Sequence, residues 1–133
     1  MDQNHDRIAV AAGTDTEDLV NFIFQQLPDE IVDGVDLKRL SPEEAGVARE
    51  LVTAAAILTL SSTITVSVVR LIERWMEGRR QREAVQLIYE AGKENRDDVV
   101  KALTELEKLH TNVAATFGHI TPAWVKSHGA AKQ

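Results

Sequence analysis

The sequence predicts an α+β fold, mostly helical: a small domain with a long central apolar helix at about residues 42–77, two to three short strands and two flanking amphipathic helices. Three observations lead there. Residues 51–69 are 19 consecutive positions without a charge. Short apolar runs bounded by glycine or arginine lie on either side and read as strands. Two other stretches repeat apolar residues every three or four positions, the spacing of a helix with one buried face. At 133 residues the chain suits one domain with a sizeable core, expected over residues 1–125, with a mobile tail at 126–133.

The first element expected is a strand. Arg7-Ile8-Ala9-Val10-Ala11-Ala12 is a short apolar run that stops at Gly13. Thr14-Asp15-Thr16-Glu17 then has the form of a capping box, in which hydroxyl and acid satisfy the first N–H groups of a helix. That helix would put Leu19, Val20, Ile23, Phe24 and Leu27 on one face and end at Pro28. Asp29, Glu30, Asp33 and Asp36 lack the spacing of a calcium loop and read as a solvated turn. Val35 to Leu40 alternates as a second strand would.

The central stretch opens at Ser41-Pro42-Glu43-Glu44, a cap followed by a first-turn proline and two acids that favour the positive helix end. Gly78, followed by Arg79 and Arg80, is the expected stop. Between them Ile57, Leu60, Ile64, Val68, Leu71 and Trp75 recur at helical spacing. A helix of about 36 residues would be about 54 Å long, more than a body this small can cover. A buried helix is the favoured reading. A transmembrane helix over residues 51–69 is the alternative, about 28 Å at 1.5 Å per residue against a hydrocarbon core of about 30 Å. Against it, seven of those 19 residues are serine or threonine. A strand is the third reading, since Leu58, Leu60, Ile64, Val66 and Val68 alternate with hydroxyl residues and Ser62 interrupts the set.

Ala84 to Ala91 is favoured as a strand, although Val85, Ile88 and Tyr89 also fit a continued helix. Asn95-Arg96-Asp97-Asp98 opens a further helix whose inner stripe would be Val99, Leu103, Leu106, His110 and Val113. His110 is expected to be partly buried and satisfied. Trp124 would dock on the body or on a partner.

Charge narrows the functions. The net charge is −6, and residues 1–50 hold 12 acids against 4 bases. Nucleic-acid binding is not expected, because it usually needs a basic face. Absence of cysteine excludes disulfides, thiolate metal sites and a cysteine nucleophile, and suits the cytoplasm. His5, His110, His119 and His128 have no metal-ligand spacing, and no phosphate loop or nucleophile motif occurs. No catalytic residue, metal or cofactor is therefore expected, and an enzyme is not.

The opening Arg7-Ile8-Ala9-Val10, the acidic Asp15-Thr16-Glu17-Asp18-Leu19, and Leu71-Ile72-Glu73-Arg74-Trp75-Met76 ahead of Arg79-Arg80, with a strand after them, carry a resemblance. Over residues 7–92 the chain resembles the effector-associated constant component proteins of bacterial conflict systems. The resemblance implies a non-catalytic companion of peptidase or other effectors, with no catalytic residues to carry over.

The function expected is a non-enzymatic interaction or assembly component, self-associating as a homo-oligomer or holding a protein partner. Ile57, Leu60, Ile64, Val68, Leu71 and Trp75 are the candidate contact residues, since an apolar surface left exposed would be an interface. The alternative is a membrane-inserting effector, anchored in the inner membrane through residues 51–69. Arg70, Arg74, Arg79, Arg80 and Arg82 would then meet lipid headgroups on the cytoplasmic side.

Overall fold

The computed structural model describes residues 5–40, 55–80, 83–92 and 96–120. In chain order the elements are β1 (His5–Ala11), a single 3-10 turn (Gly13–Asp15), α1 (Thr16–Gln26), the one-turn α2 (Asp29–Val32), β2 (Asp36–Leu40), β3 (Ala55–Ser61), α3 (Ser62–Arg79), β4 (Val85–Glu90), α4 (Arg96–Leu109) and β5 (Val113–Phe117). The strands form one sheet in the order β2-β3-β1-β4-β5. All neighbours are antiparallel except β5, which runs parallel to β4. The first four strands with α1 and α3 have the split-βαβ, or ferredoxin-like, connectivity. A topology of that kind carries no function by itself.

This mixed five-stranded sheet overturns the expectation of a mostly helical protein organised round one long apolar helix. Residues 55–61 are a strand paired with β1 on one side and β2 on the other. The uncharged stretch was ambiguous because β3 is buried on both faces. Ala55, Ala56, Leu58 and Leu60 are fully buried and Ile57 is 8% exposed. A strand covered on both sides carries no charged alternation, and the hydroxyls of Thr59 and Ser61 suit a strand or a helix alike. The change to helix comes at Ser61, which is still extended at φ −64° and ψ 141°, and whose side chain accepts from the Thr63 N–H. Serine is a preferred residue for that boundary. The transmembrane reading falls for the same reason, and among the described residues no helix is long and apolar enough to cross a membrane. The expected helix start at Ser41-Pro42 lies outside the described residues, as do Trp124 and the tail at 126–133.

Helices α1, α3 and α4 pack on one face of the sheet. Ile8 and Val10 of β1, Leu58 and Leu60 of β3, and Leu87 and Tyr89 of β4 meet Leu19 and Ile23, Ile72 and Met76, and Leu103 and Leu106 there. The second face carries a smaller apolar set, Ala9, Ala11, Ala55, Ile57 and Ile88, with Ile120 packed against it. Arg39 of β2 grips Glu17 of α1 with a two-pronged ion pair, 2.9 Å on each arm.

Other local expectations are corrected in detail. The capping box at Thr14–Glu17 is replaced by Thr16, whose Oγ1 accepts from the Ala12 N–H at 2.8 Å and donates to the Gly13 carbonyl at 2.9 Å. Gly78 lies within α3. The left-handed residue that ends the helix is Arg80, at φ 52°. The acidic turn after Pro28 contains the short α2. Val113 belongs to β5 rather than to the stripe of α4, because the chain leaves the helix at Leu109 and re-enters the sheet.

Three polar residues are fully buried among those described, Thr16, Thr65 and Asp6 of β1, and Asp6 is the only acid of the three. Its Oδ2 accepts from the Thr65 hydroxyl of α3 and from the Tyr89 hydroxyl of β4, each at 2.9 Å, and its Oδ1 accepts from the Gly92 N–H at 2.6 Å. Burying a carboxylate is costly unless donors surround it, and here three do. Asp6→Asn turns one acceptor oxygen into a donor facing other donors. It should lower unfolding free energy by about 2–3 kcal/mol, against about 1 kcal/mol for Tyr89→Phe. Urea unfolding of both variants measures this, and an Asp6→Asn midpoint equal to wild type would refute the role.

Candidate functional site

A cavity outlined by described residues lies between α1 and α3. Asp18, Phe22 and Gln26 line it from α1, four residues apart and so on one face of that helix. Arg74, Trp75, Gly78 and Arg79 line it from α3. Its volume is about 380 Å³.

Trp75 anchors this wall. Its ring is 3% exposed, and the indole N–H donates to Asp18 Oδ2 at 2.9 Å. Arg79 donates to the same oxygen at 2.6 Å and to Asp15 Oδ1 at 3.2 Å. Its guanidinium carbon stands 5.0 Å from the centre of the Trp75 ring, within range of a cation–π contact. Arg79 is therefore held by two aspartates and an aromatic face. Arg74, one turn earlier and exposed, makes no hydrogen bond or ion pair with a described residue. Gly78 opens the groove between them: a Cβ placed there would meet no atom within 4 Å.

The stripe proposed from the sequence is distributed over two elements. Ile57 faces the second side of the sheet. Leu60, Val68, Leu71 and Trp75 belong to the helix-side core, and Ile64 is half-buried against it. The arginines diverge as well. Arg70 turns towards α4, 3.1 Å from Glu105 and 3.7 Å from Glu73 of its own helix. Arg74 and Arg79 turn towards α1, Arg80 forms the helix end, and Arg82 lies outside the described residues. These positions do not make one headgroup-binding face. Phe22, Gln26 and Gly78 are the groove residues that sequence reasoning passed over. The four-residue repeat Asp18, Phe22, Gln26 was the signal available for them.

A second polar cluster lies at the sheet's other face. Glu90 Oε1 accepts from Arg7 at 2.9 Å and from the Ile120 N–H at 3.4 Å, while its Oε2 is 3.1 Å from His119 Nδ1. Burial pushes the Glu90 carboxyl up, but the bonds from His119 and Ile120 and the charges of Arg7 and His119 together outweigh it and hold the carboxyl below its ordinary value. His119 makes no hydrogen bond to a hydroxyl among the described residues, so no nucleophile is poised against the pair. His110 is partly buried, as expected, but its Nε2 has no hydrogen-bond partner among the described residues and stands 3.9 Å from Glu77. No group of three metal-ligating side chains occurs among the described residues. The outer strand β5 is a poor site for strand addition. Its Val113 N–H donates to the His110 carbonyl at 3.1 Å and its Ala115 N–H to Glu107 at 2.8 Å.

Comparison with family models, curated proteins and solved structures gives no match for this chain.

Two measurements check the site. In a double-mutant cycle, Trp75→Phe and Asp18→Ala should show a coupling of about 1 kcal/mol, since each removes one end of the indole hydrogen bond. Independent effects would mean that the bond does not hold α1 against α3. For Glu90, a lowered carboxyl contributes stability that is present above the unfolded glutamate value, about 4.3, and is lost as pH falls through the lower folded value. The stability difference between wild type and Glu90→Gln should therefore be largest near neutrality and shrink in acid. A difference independent of pH would contradict the assignment.

Proposed function

We propose that the chain is a non-enzymatic interaction module that docks a protein partner in the groove between α1 and α3. The observation that carries this reading is the make-up of the groove. Phe22, Gln26 and two arginines line an open cavity between two helices, with the buried Trp75 behind them. Arginine is among the residues that most often dominate binding energy at protein interfaces. Because Arg79 locks Trp75 against Asp18, the wall is ordered before anything binds, which lowers the entropy cost of association.

The groove replaces the earlier candidate surface. Leu60, Val68, Leu71 and Trp75 are packed inside the chain, so they support no docking argument of their own. The setting proposed is the cytoplasm, in keeping with a chain that has no cysteine. The resemblance to effector-associated constant component proteins adds a biological context to the proposal, that of a companion to an effector in a bacterial conflict system.

Gly78 provides the test. A Cβ at Gly78 meets no atom within 4 Å, so Gly78→Leu should extend into the groove, and both Leu and Ala are better helix formers than Gly by up to about 1 kcal/mol. Gly78→Ala and Gly78→Leu should thus melt no lower than wild type. Peptides selected on wild type from a random display library should bind Gly78→Ala normally and Gly78→Leu at least about tenfold more weakly. Equal binding to all three proteins would sink the proposal.

A further inference from the structure

We infer that the segment this groove accepts is acidic, with a carboxylate paired to Arg74 and an apolar side chain laid over the half-buried Phe22. The inference rests on the docking reading above and adds the chemistry of the partner.

The two arginines of the groove are not equivalent. Arg79 already has Asp18 at 2.6 Å, Asp15 at 3.2 Å and the Trp75 face beneath it. Its charge is answered from within the chain. Arg74 points into the same cavity with no acid of the described chain against it. A guanidinium in that position offers a planar, two-pronged site that matches a carboxylate.

The surroundings also give the bound segment a direction. Asp15 and Asp18 lie at the Arg79 end, where a second acid would be repelled. The acidic residue of the partner therefore sits at the Arg74 end, with its apolar neighbour on Phe22. From Asp18 to Gln26 is eight residues of helix, about 12 Å. That length takes about four residues of extended chain or two turns of a helix. The acid and the apolar anchor must then fall within a few residues of each other.

The net charge of −6 does not forbid this. At physiological ionic strength charges are screened over about 8 Å, so Arg74 is felt by a contacting carboxylate and most of the remaining surface is not. A nucleic-acid strand fits less well, because its successive phosphates would run past Asp15 and Asp18.

The experiment compares wild type, Arg74→Glu, Arg74→Lys and Gly78→Leu in the same random peptide display, followed by fluorescence anisotropy with a labelled synthetic copy of the strongest binder. The expected result is a selected set carrying Asp or Glu within about four residues of an aromatic or branched apolar residue. Arg74→Glu should weaken the labelled peptide by at least about tenfold, and Arg74→Lys should retain part of the affinity. Selected peptides that are neutral or basic, or that bind Arg74→Glu unchanged while Gly78→Leu still blocks them, would overturn the acidic assignment and leave the docking groove standing. If no peptide is selected, or Gly78→Leu has no effect, the docking reading itself falls and this inference with it. Sedimentation with phosphatidylserine vesicles that is lost in Arg74→Glu, in the absence of any peptide binding, would overturn it in favour of a lipid headgroup.

Discussion

The structure depends on β1 being occupied on every side. β3 and β4 are hydrogen-bonded to its two edges. Ile8 and Val10 bury into the helix-side core, while Ala9 and Ala11 are buried on the opposite face. On the helix-covered face of that strand a side chain cannot reach water, so Asp6, which is fully buried, has to find its partners inside the protein. It finds them on α3, on β4 and at the backbone of Gly92. One carboxylate thereby ties the strand at the centre of the sheet to the helix above it and to the loop leaving β4. Removing its charge leaves buried donors unpaired, and that penalty is larger than the net gain from an ordinary hydrogen bond.

The groove follows from the same arrangement. α1 leaves β1, and α3 leaves the antiparallel neighbour β3, so the two helices cross the sheet in opposite directions. The beginning of α1 therefore meets the end of α3, which brings Asp18 to Trp75 and Arg79. The ion pairs there are partly exposed, and each alone contributes little. Their effect is to set the orientation of the tryptophan and to pair one arginine, while the other, Arg74, meets no acid among the described residues. Gly78 keeps the space between them open.

Much of the fold was legible in short windows of sequence. The strand near Arg7–Ala12, the helix closed by Pro28, the alternating Val35–Leu40, the strand at Val85–Glu90 and the helix from Arg96 depend on residues near one another in the chain, and the folded elements lie close to those expectations, while the cap expected at Asn95 lies outside the described residues. β5 escaped notice because Val113 also continues the spacing of α4. Of the groove, Trp75, Arg74 and Arg79 were singled out, but as parts of a stripe and a basic cluster that the structure separates. Phe22 and Gly78 acquired meaning only when α1 lay beside α3.

The sequence by itself determined where local hydrogen bonding and side-chain period leave one choice: the strand before Gly13 and the amphipathic helices on either side of the uncharged run. Tertiary structure alone decided residues 55–61. Their uncharged run satisfies a helix and a doubly buried strand equally well, and the choice was made by backbone pairing with β1 and β2, at positions far away in the chain. It also decided the groove, because the bond from Trp75 to Asp18 spans 57 residues. Contacts of that range arise from the packing of whole elements, and no window of sequence contains both partners.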